Sequence, residues 1–366
     1  MKFIIERGPL LKALAHVQSV VERRNTIPIL SNVLIDARDD RLTLTATDLD
    51  IQIIDVVSAS IETPGATTVG AHTLLDIIRK MPEGSQVEIV VDAGRMRITA
   101  GRSRFQLPVL PAEDFPQIVR GELDYHIPVS TTTLRDVLVR TRYAISTEET
   151  RYYLNGIYMH LSGASMQAVA TDGHRLARTS VQTGETPLQG MPDVIVPRKT
   201  IAELSKIVSE YDGNVEIYLS RTKVAFEIGS ISLLSKAIDG TFPDYTRVIP
   251  QNNSISVKVD NKSLSAAVDR VTTIASEKTR SVKVSITKEA LTVSVTSPEN
   301  GTAIEEVPCE ADGEVEIGFN SRYLLDVLAN VAADNVELRL ADSTSPALVL
   351  DAAHSKDAAV LMPIRI

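Results

Sequence analysis

With 366 residues, 43% hydrophobic and 23% charged, the chain is too long for one hydrophobic core and is expected to fold as two or three units. A formal net charge of −9 argues against nucleic-acid binding over its whole surface, since phosphates are met by an excess of Lys and Arg. The only cysteine, Cys309, excludes an internal disulfide and the usual zinc sites, so no metal or cofactor is expected and a reducing cytoplasm fits. The opening MKFIIERGPL holds no cleavable apolar stretch, and no run approaches the roughly 20 apolar residues that span a bilayer. A soluble protein without a membrane partner is expected.

Residues 3 to 49 read FIIERGPLLKALAHV, a loop, then NVLIDARDDRLTLTATDL, which is a short strand, a helix and a hairpin. Leu10, Leu14, Val17 and Val21 share one helical face and predict a helix over 10–24. In Leu42-Thr43-Leu44-Thr45-Ala46 every second side chain is apolar, as in a sheet packed on one face, and Asp39-Asp40 marks the turn before it. A second module follows, TVGAHTLLDIIRKMPEGSQVEIVVDAGRMRITAG, with a helix over 73–80 and a turn at Ala93-Gly94.

After the strand-poor LPAEDFPQIVRGELD, the same pair of modules recurs. HIPVSTTTLRDVLVR and NGIYMHLSGASMQAVATDG place a helix over 131–142, with Leu134, Val137, Leu138 and Thr141 on one face, and a turn at Ser162-Gly163. VIVPRKTIAELSKIVSEYDGNVEIYLSRTKVAFEIG places another over 198–210. Beyond GTFPDYTRVIPQNN, a third pair carries helices over 262–280 and 321–331 and alternating strands such as Val284-Ser285-Ile286. Six modules of about 61 residues pair into three domains, 1–124, 125–251 and 252–366. The class is α+β, each domain holding two helices against antiparallel sheet.

These six helices carry two basic residues for every acidic one, so the remaining chain is more acidic than the average. A basic helical surface on an acidic body can hold a polyanion although the total charge is negative. Arg135, Arg142, Lys199 and Lys206 on any one helix also read as solvated faces. With no Trp, no aromatic series among the bases and no helix-turn-helix spacing, non-specific duplex contact remains rather than sequence readout or single-strand stacking.

The strings TIPILSNVLI, TDLDI, RYYLNG, ATDGHRLA, VIVPRK, DGTFPDY, EIGFN and MPIRI, on this threefold framework, resemble the bacterial β sliding clamps, the DNA polymerase III β subunits, from Met1 to Ile366. The resemblance implies a non-catalytic processivity factor: a head-to-tail homodimer whose six domains close a ring around duplex DNA without sequence specificity. It implies Phe105 and Leu107 on the first domain and Ile274 on the third as interface positions, residues that also read as ordinary core. Arg24, Tyr152 and Tyr153 match family DNA contacts, although Arg24 is also simply one of a basic pair with Arg23. Better-known members carry Arg where this chain has His72 and Gln where it has Glu148.

The resemblance also implies a pocket for a short peptide with spaced apolar side chains. The peptide would come from the alpha subunit of DNA polymerase III, the delta subunit of the clamp loader, or other proteins with a clamp-binding motif. The matching positions are Leu154, Thr171, Gly173, His174, Arg175, Leu176, Pro243, Arg247, Val248, Asn320, Tyr323, Val360, Met362, Pro363, Ile364 and Arg365, among which Leu, Val and Met provide an adaptable apolar cleft; the conservative reading makes these apolar residues buried core and the tail the completion of a strand. Ser345-Pro346 departs from a Ser-rich loop at the rim.

Asp172 and His174 invite an acid-base reading, and a hydrolase is one rival. The first domain has TDLD where the second has TDGH, so the Asp recurs without the His, as a turn residue does. No Gly-rich phosphate loop or nucleophile elbow accompanies the pair. The second rival is a repeat scaffold that binds proteins without encircling DNA.

Overall fold

The computed structural model describes residues 1–23, 26–162, 165–182, 189–276, 280–354 and 357–365. Six α-helices occur among them: α1 Arg7–Gln18, α2 Ala71–Lys80, α3 Thr131–Arg142, α4 Arg198–Ser209, α5 Asn261–Val271 and α6 Ser321–Leu328. The first starts earlier than its periodicity predicts, because Pro9 lies in the first turn, where a missing N–H has no intrahelical partner to lose. It also ends earlier. The Ser19 hydroxyl donates to the His16 carbonyl at 2.7 Å, and Val20 and Val21, both buried, complete the apolar face from the turn that follows. The fifth stops at Val271 instead of 280. There the Thr272 hydroxyl donates to the Val268 carbonyl at 2.7 Å, and a 3-10 turn over Thr272–Ile274 follows.

The three domains share an arrangement their repeats do not announce. In each, the strand that opens one module pairs with the hairpin of its sister module. Strand 2–6 joins 86–92, and 65–70 joins 32–38. Likewise 125–130 joins 214–219 and 194–197 joins 156–162, while 255–260 joins 335–340 and 315–320 joins 281–286. All of these pairs are antiparallel. The exchange makes a domain of two modules that would otherwise each leave a three-stranded sheet with open edges.

Packing gathers the chain into two compact units that cut across these domains. The first comprises the described residues of 1–135, 185–191 and 199–237; the second comprises those of 136–184, 192–198 and 238–366. Among the described residues each contains one long antiparallel sheet, of 13 strands in the first unit and 12 in the second. In the first unit the sheets of successive domains fuse where 231–236 pairs with 51–58. In the second they fuse where 175–182 pairs with 358–361. Leu10, Leu14 and Val17 of α1 are fully buried against this framework, each contributing roughly 1.5–3 kcal/mol. The turns Asp39-Asp40 and Ala93-Gly94 have positive φ at both residues, the conformation a two-residue hairpin needs to match strand twist.

Candidate protein-interaction site

The second unit brings together the residues expected at the peptide pocket. Thr171 ends one strand and Arg175 begins the next, and the turn between them is held by its own side chains. The Thr171 hydroxyl donates to the Arg175 carbonyl at 2.7 Å and accepts from the Gly173 N–H at 3.1 Å. The Asp172 carboxylate accepts from the N–H groups of His174 and Arg175 at 2.9 and 3.0 Å. Gly173 has φ +88°, which glycine adopts without strain, and a Cβ there would lie 2.5 Å from Arg151 Nη1, so a larger residue would be strained and would push that guanidinium aside. The exposed His174 ring stacks on Tyr323 at 6.0 Å between centroids, and the Met362 N–H donates to the His174 carbonyl at 2.9 Å.

Arg175 is the strut of the site. Its side chain, 10% exposed, pairs with Asp172 at 3.1 Å and Asp326 at 2.5 Å. Its guanidinium lies 4.5 Å from the centre of the Tyr323 ring and 5.5 Å from that of Tyr143. Tyr143 is so enclosed that burial holds its phenol well above the ordinary range. Nothing local in the sequence points to Tyr143, and for Asp326 the one signal is its spacing from Tyr323 on one helical face. Asn320 caps α6, its side-chain oxygen accepting from Arg322 and Tyr323 N–H at 3.0 and 3.4 Å.

Leu154, Leu176 and Val360 are not an open cleft lining. They are buried at 2–3% exposure in a small core with Phe242, Tyr245 and Ile249. In the segments that flank this core, Val248 and Met362 are 46% and 39% exposed, Pro243, Arg247 and Arg365 are exposed, and Pro363 and Ile364 are half-buried. The tail is pinned by the Ile364 N–H to the Gly318 carbonyl at 2.9 Å. Behind the Pro243–Val248 segment, Phe242 stacks on Tyr158 at 4.6 Å and His160 meets the Tyr245 hydroxyl at 2.9 Å. At the rim, Asp342 accepts from the Thr344 and Ser345 N–H groups at 2.7 and 2.8 Å, bonds that hold its pKa down at about 2, while Asn253 donates to the Pro346 carbonyl at 2.9 Å.

Asp172 and His174 form no acid-base pair, because the carboxylate is spent on the turn and on Arg175. Asp48 does the same work in the first domain, accepting from Asp50 and Ile51 N–H at 2.9 and 2.8 Å. The arrangement can present an apolar, aromatic-edged surface. It holds no nucleophile beside a base.

Arg24 lies outside the described residues. Tyr152 is exposed and Tyr153 half-buried, their rings edge to face at 5.8 Å. Glu148 beside them is neutralised: Arg151 pairs with it at 2.9 Å, and that hydrogen bond lowers its pKa. His72 has lost the charge an Arg would bring, since burial and Arg23 lower its pKa; its ring faces the Gln18 amide at 2.9 Å. The helices remain rich in bases, yet several are committed. Lys12 lies 3.7 Å from Glu210, Arg140 lies 2.7 Å from Asp357, and Arg135 donates to the Val208 carbonyl at 2.7 Å. Arg142 and Arg198 are exposed. Phe105 is 39% exposed on strand 103–110, Leu107 is half-buried there, and Ile274 is half-buried against the third domain's core.

Three family models match the chain in succession. They are described as the DNA polymerase III beta subunit N-terminal domain over 1–119, central domain over 128–244 and C-terminal domain over 246–365. A curated protein of Caulobacter vibrioides (strain NA1000 / CB15N) named "Beta sliding clamp" is 52% identical over 373 residues, with all of both chains covered. The protein of that name from Escherichia coli (strain K12) is 36% identical over 370 residues, again with full coverage. Among solved structures, a DnaN sliding clamp from Bartonella birtlesii bound to griselimycin superposes with a TM-score of 0.97 at 44% identity, covering 100% of each chain. A Caulobacter crescentus clamp with polyethylene glycol bound to a "putative beta-motif tethering region" gives 0.96 at 51% identity, covering 100% of this chain and 99% of that one.

Proposed function

The chain belongs to the DNA polymerase III beta subunit family, the beta sliding clamps, which are non-catalytic processivity factors of replication, and from that premise we propose how it works. Two copies join head to tail, the ring they close surrounds duplex DNA, and a partner's peptide docks on the Met362–Val248 surface of each copy. The observation that carries the ring is the order of strand edges. The last strand of each domain's first module pairs with the last strand of the next domain's second module: 51–58 with 231–236, then 175–182 with 358–361. By that rule strand 301–311 of the third domain seeks strand 103–110 of a first domain, and among the described residues no strand is paired in that way. Along 103–108 and 301–308 each strand has a partner on one side only.

A second copy satisfies the rule at both ends, and the contact closes because the repeats make the ring nearly sixfold. The edges suit each other chemically. Strand 103–110 brings Arg104, Phe105 and Leu107; strand 301–311 brings Ile304, 71% exposed, and the exposed Glu306, while Glu305 is held by Arg270 of its own domain. Ile274 lies beside that strand's start, its carbonyl accepting from Asn300 at 3.2 Å.

Encirclement separates residence from affinity. The exposed bases of the helices need only meet phosphates loosely, within the roughly 8 Å screening length of physiological salt, and the ring still stays on the duplex. The docked partners include the alpha subunit of DNA polymerase III and the delta subunit of the clamp loader, and the protein works in the cytoplasm. Sedimentation at micromolar concentration tests the ring's first requirement: the mass of two chains is expected, and a monomer would leave a protein-binding scaffold as the better reading.

A further inference from the structure

The first unit contains the same frame as the pocket, with different side chains on it. The Thr47 hydroxyl donates to the Ile51 carbonyl at 2.9 Å and accepts from Leu49 N–H at 3.0 Å, as Thr171 does for Arg175 and Gly173. Asp48 accepts from residues two and three ahead, as Asp172 does. The Lys236 N–H donates to the Asp50 carbonyl at 2.9 Å, the bond made in the second unit by Met362 and His174. Ser235 faces Ile51 across the strand pair, as Leu361 faces Arg175. Even the left-handed residue is kept, Leu49 at φ +80° where the pocket has Gly173 at +88°.

The side chains on this frame are inverted in character. Where the pocket offers the Met362 thioether, the first unit has Lys236, and where it offers the His174 ring, it has Asp50. The two form an ion pair at 3.0 Å, with side chains 51% and 78% exposed. Where Tyr323 stacks on His174, the corresponding helix α4 has Thr200, buried and bonded to Ser235 at 2.6 Å. Leu49, 37% exposed, stands where glycine leaves room. Beside it Asp48 is held by Lys199.

We propose that Lys236, Asp50 and Leu49 are specificity residues that keep this copy of the frame from taking the partner peptide, so that each chain has one docking site although its repeat builds two. The inference rests on the pocket reading above. An exposed ion pair adds little to stability, but an apolar ligand laid over it must strip water from two charges without replacing their solvation, and Leu49 fills the space beside the pair. Over Met362, His174 and Tyr323 the same ligand gains apolar contact. Discrimination here is by a repulsive element, as specific recognition commonly requires.

The test is titration calorimetry of the full-length protein with griselimycin, the ligand carried by the Bartonella birtlesii clamp. Wild type is expected to bind one equivalent per chain, and the triple variant Leu49→Gly, Asp50→His, Lys236→Met two, the second within about a hundredfold of the first. One equivalent on a folded triple variant would overturn the inference while leaving the pocket standing; two on wild type would overturn it as well. No binding to wild type would overturn both. The reverse exchange, His174→Asp with Met362→Lys, guards against misfolding of the triple variant. It is expected to weaken wild-type binding at least a hundredfold, and retained binding would overturn the inference.

Discussion

His16 sits at 6% exposure between two carboxylates, its Nδ1 2.7 Å from Asp55 and its Nε2 3.2 Å from Glu210. Lys12 lies 3.7 Å beyond on Glu210 and stacks over Tyr211, and the Ser230 hydroxyl donates to Asp55 at 2.6 Å. Burial pulls the imidazole's pKa down, but the hydrogen bonds to Asp55 and Glu210 outweigh it and leave the value above the ordinary 6.5. A pKa raised on folding contributes stability that is fully present below the unfolded value and lost as pH rises through the folded one. His16→Ala strands the buried Asp55 with one hydroxyl partner and is expected to cost about 3 kcal/mol, a fall of roughly 6–12 °C in unfolding temperature for a unit of this size. Thermal unfolding of wild type and variant from pH 6 to pH 9 measures it. The gap between them should be widest near pH 6 and narrow as pH rises. A gap below 1 °C, or one unchanged across that range, would refute the charged-cluster account.

Gly173→Ala forces a left-handed alanine, at about 1–2 kcal/mol, and displaces the Arg151 guanidinium from Glu148 and Asp172; lower stability with weaker griselimycin binding is expected by denaturation and calorimetry. Deleting residues 362–366 should abolish that binding and leave the sedimenting mass unchanged, and retained binding would remove the tail from the site. Leu107→Ala combined with Ile274→Ala should shift the protein toward monomer at micromolar concentration by sedimentation, whereas an undisturbed dimer would move the interface elsewhere.

Local patterns were legible where one periodicity reports one environment. The face of α1 and the Asp39-Asp40 turn follow from spacing and turn chemistry. Strand exchange between sister modules does not, because the edge a strand pairs with leaves no mark in its own alternation. The same limit hides the grouping into two units: sheet fusion at 231–236 and 358–361 is a tertiary choice. Helix ends were misjudged where apolar residues continued past the helix, as at Val20 and Val21. At the site, the turn role of Asp172 was readable from its recurrence as Asp48. The strut made by Arg175, Asp326 and Tyr143 depends on approach of distant segments, and Leu154, Leu176 and Val360 proved to be buried core rather than accessible surface.

The measurement closest to the central claim is retention of the loaded protein on DNA of different topology. Loaded onto a nicked circle, it should remain bound through a high-salt wash and be released within minutes once the circle is cut, since ends are the only exit from a closed ring. Release from the intact circle at the same rate as from the linear form would mean that contact, and not encirclement, holds the protein on DNA.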